Sequence, residues 1–219
     1  MKFKSLQMRI CVTAGICLFF SSASLVGYGL FSARANEAYV AEEVSGLIEK
    51  ATFREVENLA ESRANAIQTK LQGALDAART MANTFAASKA AQSPLDIGRE
   101  QINTVLLSVL KNNPEFNGTY SCWEPDALDG QDFAFRNDQD GNNPQTGRFT
   151  PYWTRSADGT IAVQPLVEYD SADRHPNGVL KGGWYSGPRD TLTESVLDPL
   201  PYVVQGKNVW LTTLSASWA

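Results

Sequence analysis

The sequence predicts an α+β protein, with one very long N-terminal helix followed by a region of short antiparallel strands. Three observations carry this. Residues 36–92 contain no proline and are dominated by Ala, Glu and Leu, which favour helix. After Pro114 the chain changes to aromatic and β-branched runs punctuated by Asp129-Gly130 and Asp158-Gly159, both turn signals. Helix and strands come in blocks instead of alternating, which points to α+β and away from a parallel βαβ sheet.

The N-terminal end has its own chemistry. Between Arg9 and Arg34 lie 24 uncharged residues, Ile10–Ala33, and a bilayer core needs about 20 in a helix. Ser21, Ser22 and Ser24 do not break the run, because a helix can satisfy hydroxyls internally. Lys2, Lys4 and Arg9 precede it, so the positive-inside rule puts residues 1–9 in the cytoplasm and everything past about residue 34 outside. Ala33-Arg34-Ala35 could serve as a leader cleavage site. The apolar run is longer than the roughly 7–15-residue core of a leader, so an uncleaved anchor over 10–33 is expected.

The outer part reads element by element. Val40, Val44, Leu47, Leu59, Ile67, Leu71, Met81 and Phe85 recur mostly at spacings of three and four, giving one apolar stripe on a stalk helix over 36–92. At 1.5 Å per residue such a helix would span about 85 Å. Ser93-Pro94-Leu95-Asp96 reads as a cap and first turn, and opens a short helix ended by Asn112-Asn113-Pro114. Phe116–Trp123 reads as a strand, 148–155 and 160–167 as a hairpin about Asp158-Gly159, Thr191–Val196 as a short helix or turn, and Val209–Leu214 as a last strand.

Charge and motifs exclude several functions. The net charge is −5. Residues 35–219 hold 15 basic and 24 acidic groups, a balance that would repel nucleic acid. Of three cysteines, Cys11 and Cys17 lie in the apolar run and Cys122 stands alone outside. No disulfide or metal spacing results, and no cofactor is expected. The one histidine, His175, sits in a polar loop and reads as exposed. No nucleophile elbow or phosphate loop occurs, so no enzyme is expected. Asp138–Asn143 resembles half a calcium loop, but its Gly141 comes two positions early and Phe149 stands where Glu would close the site; an exposed polar turn is expected.

The informative pattern is aromatic. Tyr152-Trp153, Trp184-Tyr185 and Tyr202 are interleaved with Glu168, Asp170 and Asp198. Aromatic walls with a few carboxylates can hold an ammonium through cation–π contact and charge-assisted hydrogen bonds. The same aromatics could equally fill a core, and for any single residue that is the commoner role.

These stretches also carry a resemblance. Pro151-Tyr152-Trp153-Thr154-Arg155, Gly183-Trp184-Tyr185, Asp198-Pro199-Leu200-Pro201-Tyr202 and Gly206–Ser215, taken in order behind a membrane helix and a long outer helix, are similar to the sensor region of bacterial methyl-accepting chemotaxis proteins, a double Cache (dCache) domain of PAS-like modules. The resemblance covers most of residues 1–215. It implies a pocket on one face of an antiparallel sheet, with Trp184-Tyr185 read here as strand, in a membrane-distal module over 93–219. It implies a homodimer through the long helix, in the bacterial inner membrane with the sensor in the periplasm. Amino-acid-binding members carry an arginine two residues before the Trp. Gly182 stands there, so the resemblance, joined to the acids, implies a cationic amine such as a polyamine in place of an amino acid. The family's next strand, with a ligand-binding aspartate, is not found before Ala219, so the module is expected to be incomplete at its C-terminus.

The expected function is thus ligand sensing for chemotaxis. The same outer domain on a histidine kinase or diguanylate cyclase is the alternative, as is a secreted binding protein released at Ala35. Carbonate washing of membranes should leave the chain in the pellet; its recovery in the soluble periplasmic fraction would replace the anchor with a leader.

Overall fold

The computed structural model describes residues 6–217 apart from Ser93 and Gln139. The chain divides into two units, Met1–Asn65 and Ala66–Ala219. Helix α1, Leu6–Ala86, enters both. Its N-terminal portion contains an 18-residue window of mean hydropathy 2.0, long and apolar enough to cross a membrane. The hydroxyls there bond back along the helix: Thr13 Oγ1 to the Arg9 carbonyl at 2.8 Å and Ser21 Oγ to the Cys17 carbonyl at 2.8 Å. This is how polar side chains are tolerated at such positions. Farther on, Val40, Leu47 and Leu59 lie more than half exposed along the helix.

The helix ends at Ala86, before the expected residue 92. A 3₁₀ turn, Ala87–Lys89, follows, and Ala90 is extended. The Leu95 amide turns back onto the Ala87 carbonyl at 3.0 Å, bringing Leu95 against the helix end. Helix α2 is Arg99–Asn112. The expected cap, Ser93, lies outside the described residues, and Pro94 precedes the helix instead of opening it. Gly98 takes the cap position, with its N–H donating to Gln101 Oε1 at 3.0 Å, because the buried Arg99 fixes where the first turn must sit.

Strands β1 (Gly118–Tyr120), β2 (Pro151–Arg155) and β3 (Ile161–Pro165) form one antiparallel sheet in that order. Its register places Thr119 opposite Trp153 and Trp153 opposite Val163. The β2–β3 turn closes through Gly159 at φ +87° and Asp158, whose Oδ1 accepts the Thr160 amide at 3.0 Å. Helix α3 is Gly183–Thr191. The Trp184-Tyr185 stretch is therefore helical, not the strand expected: the Gly182 carbonyl accepts from the Tyr185 and Ser186 amides at 3.0 and 2.9 Å. Strands β4 (Ser195–Val204) and β5 (Lys207–Ser215) make a separate antiparallel hairpin, with a register shift between Leu197 and Leu200. That irregularity accommodates Asp198-Pro199, since proline cannot serve a regular ladder.

Among the described residues no strand pairing joins the hairpin to the sheet; side chains do it. Gln164 imitates a strand neighbour, donating to the Val203 carbonyl at 2.9 Å and accepting the Gln205 amide at 2.8 Å. The Tyr202 hydroxyl accepts from the Val167 amide and donates to its carbonyl, both at 2.9 Å. Tyr120 and Ser215 share a hydroxyl bond of 2.5 Å.

Two cores result. One collects Tyr152, Leu166, Trp184, Leu200, Tyr202 and Val204. The other collects Phe85, Ile102, Leu106, Trp123 and Phe149, with Trp153 against it. Each fully buried Ile or Leu contributes about 1.5–3 kcal/mol. Beneath the second core, Arg99 uses all five of its N–H donors: on Asp129 at 2.8 and 2.9 Å, Asp132 at 2.6 Å, Asn142 Oδ1 at 2.7 Å and the Gly147 carbonyl at 2.8 Å. Asn142 is thus buried, not part of the exposed turn expected for 138–143. Gly147 is required, because a Cβ there would lie 1.6 Å from the Asp132 carbonyl oxygen. His175 is likewise 8% exposed, not solvated; its turn is closed by the His175 amide donating to the Val179 carbonyl and the Gly178 amide to the His175 carbonyl, both at 2.8 Å.

Arg99 holds the Asp129 carboxyl below its ordinary value, chiefly by hydrogen bonding. This stabilisation is present above the unfolded value of 3.8 and is lost as pH falls through the lowered native one. Arg99→Met should cost about 3 kcal/mol, since it leaves Asp132 buried without its cation, and should flatten the acid dependence. Denaturant titration of both chains at pH 7 and below 4 measures it; an unchanged midpoint would contradict the assignment.

Candidate ligand site

Within residues 66–217 a cavity of about 750 Å³ opens between α1, the segment around β1, α3 and β5. Small-molecule sites fall in the range of about 300–1,000 Å³. Helix α1 presents Ala74, Ala77, Ala78 and Ala82 to it, small residues that leave the space open between Leu71, Met81 and Phe85. The strand wall is set by alternation. The ladder to β2 and its extensions use the Asn117 carbonyl and the Ser121 and Trp123 amides. Tyr120, Cys122 and Glu124, two residues apart, all line the cavity. Helix α3 adds Trp184, Tyr185 and Arg189, and β5 adds Thr213 and Ser215.

Of the residues expected at a site, Tyr152, Trp184 and Tyr185 line this cavity. Trp153, the neighbour of Tyr152 on β2, goes to the opposite face and donates its indole N–H to Asn103 at 2.9 Å. Tyr202 is buried in the first core against Tyr152 and Trp184, at ring separations of 5.8 and 6.2 Å. Glu168 is exposed and bonded to Lys181 at 2.8 Å. Asp198 lies exposed at the β4 irregularity. Asp170 is also outside the lining and receives Arg148 at 3.2 Å. Glu124, Tyr120 and Arg148 were not expected. The Tyr120-Cys122-Glu124 alternation is a signal that could have found the first two.

The polar end of the cavity is organised by Arg148, 5% exposed. Its Nε donates to the Trp123 carbonyl and its Nη2 to the Tyr185 hydroxyl, which in turn donates to Glu124 Oε1. Glu124 Oε2 lies 3.6 Å from the guanidinium. The guanidinium also stacks on Tyr169 at 4.6 Å and Tyr185 at 5.2 Å. Burial, and then the bond to Glu124, raise the Tyr185 phenol above its ordinary value. Arg148 lies against Glu124 and Asp170, and the cavity lining holds Lys70, Lys89 and Arg189 beside Glu115 and Glu124. Arg189, also over the Tyr185 ring at 5.2 Å, is paired with Asp190 at 2.7 Å. The Trp184 indole N–H is buried without an acceptor among the described residues.

Position 182 cannot carry a side chain. A Cβ on Gly182 would fall 2.6, 2.8 and 3.0 Å from the carbonyl oxygens of Tyr169, Ser171 and Glu168. The backbone of 168–171 thus excludes an arginine there. Among the described residues no cluster of His, Cys, Asp and Glu could hold a metal.

No family model matches the chain. It is similar to the methyl-accepting chemotaxis protein TlpQ of Pseudomonas aeruginosa, with 27% identity over 217 residues, covering 96% of this chain and 30% of that protein. The chain therefore spans about a third of the length of that relative. Among solved structures, an extracellular domain assigned to histidine kinase mmHK1S-Z2 is 26% identical, with TM-score 0.52, over 71% of this chain and 57% of that one. One assigned to mmHK1S-Z3 gives 26% and 0.50 over 69% and 54%. Methyl-accepting chemotaxis protein X has the same fold, with TM-score 0.60 at 22% identity, over 78% and 59%. The resemblance read from the sequence to a chemoreceptor sensor region thus holds, with kinase sensor domains beside it. With the apolar N-terminal helix, these similarities describe a membrane-anchored chain with an outward-facing α+β sensor domain.

Burial pushes the Cys122 thiol up to about 12, so it is protonated at neutral pH. With Cys11 and Cys17 changed to Ser, iodoacetamide at pH 8 should label the chain at least about a hundredfold more slowly than free cysteine. Labelling at the free-thiol rate would mean that this wall is open to water.

Proposed function

We propose that this chain is the periplasmic ligand-sensing part of a bacterial inner-membrane chemoreceptor that binds a small cationic amine. The single observation behind the ligand class is the Glu124 carboxylate, held by Arg148 and Tyr185, beside aromatic walls from Tyr120, Tyr152 and Trp184. An ammonium complements both features. Tyr152, Trp184 and Tyr185 are the residues proposed to meet it, with Glu124 as its counter-ion. Residues 10–33 would be the anchor and 36–86 the stalk. The exposed stripe through Val40 and Leu47 would pack on a second copy, as the resemblance implies. Because α1 lines the cavity, a ligand that fits one position of the helix better than another would shift it, and only such a difference in affinity can drive a signal.

A histidine kinase sensor is the second reading, favoured by the two kinase-domain similarities. It shares the ligand chemistry and differs in output: amine-dependent phosphorylation against amine-dependent swimming bias.

Calorimetry on the full chain in nanodiscs, with putrescine, histamine and a set of amino acids, tests the reading. An amine should bind, and Glu124→Gln should weaken it about tenfold, near 1.4 kcal/mol. Binding of amino acids alone would overturn it.

A further inference from the structure

Arg148 does not line the cavity, yet it touches two residues that do. Its Nη2 fixes the Tyr185 hydroxyl, which is thereby turned to donate to Glu124. Its Nη1 is anchored on Asp170 at 3.2 Å and its Nε on the Trp123 carbonyl, one residue before Glu124. Stacking on Tyr169 and Tyr185 sets the plane of the fork, and Tyr169 is itself tied to Asn143 at 3.0 Å. The Tyr185 hydroxyl is used in both directions, accepting from Arg148 and donating to Glu124, so it aims the Glu124 carboxylate.

We infer that Arg148 is a positioning residue for ligand binding, holding the Glu124 carboxylate and the Tyr185 phenol in one fixed arrangement at the polar end of the cavity. This rests on the amine reading for the ligand class, but not for the geometry. The role needs a planar fork with donors in fixed directions, which lysine cannot supply although it keeps the charge. Charge and position also make opposite forecasts. Removing the cation makes the group more negative, so simple attraction would tighten the binding of an amine. Loss of position weakens it.

The experiment uses the full chain in nanodiscs, with circular dichroism confirming that each variant is folded. Putrescine is titrated into wild type, Arg148→Lys and Arg148→Met. A positioning role requires both variants to bind about tenfold or more weakly; equal or tighter binding by Arg148→Met overturns it. A ligand-free arm uses ¹⁹F NMR of chains labelled with 3-fluorotyrosine, the Tyr185 signal being identified by Tyr185→Phe. That signal should move toward the free-tyrosine position in Arg148→Lys, and an unmoved signal overturns the proposal. If wild type binds no amine, the ligand reading fails and the fluorine arm alone decides the role of Arg148.

Discussion

A strand sends consecutive side chains to opposite faces, so β2 cannot place Tyr152 and Trp153 in one core. Residues 66–217 are organised around that constraint. The Tyr152 side gathers Trp184, Leu200 and Tyr202, drawing α3 and the β4–β5 hairpin onto one face. The Trp153 side gathers Phe85, Ile102 and Trp123, drawing the end of α1 and α2 onto the other. The cavity lies where the first group runs out of side chains, against the small residues of α1.

Buried cations hold the connections between these layers. Arg99 gathers the loop between β1 and β2 from beneath, through Asp129, Asp132, Asn142 and the Gly147 carbonyl. Arg148 gathers the polar end of the cavity. Each is satisfied by several acceptors, which is the condition under which a buried guanidinium is tolerated at all. The two differ in what they touch: Arg99 meets only scaffold, whereas Arg148 meets cavity walls. An ion pair of 2.5 Å between Arg79 and Glu194 adds an exposed tie from α1 to the segment after α3.

Much of the fold was legible in the residues. The long helix, the β2–β3 hairpin at Asp158-Gly159 and the final strand follow from periodicity and turn chemistry. The Trp184-Tyr185 helix was not legible, because two aromatics beside glycines carry strand propensity and only the tertiary packing of α3 overrides it. The site was legible in part. Adjacent aromatics in sequence were read as one wall, and the pleat separated Tyr152 from Trp153. Glu168 and Asp198 were read as ligand acids, but pairing with Lys181 and a strand irregularity turn them outward. Arg148 carries no local signal, since its partners come from 22 to 37 residues away.

The attachment of the β4–β5 hairpin has a consequence of its own. It is held to the sheet by Gln164, Gln205, Tyr202 and Tyr120 side chains instead of by a continuous backbone ladder. Both strand ladders are complete without these bonds, and the hairpin's other hold is the packing of Leu200, Tyr202 and Val204 in the first core. Its hold on the sheet therefore depends on particular side chains, so a single substitution such as Gln164→Ala or Tyr202→Phe can loosen the join between hairpin and sheet without touching either ladder.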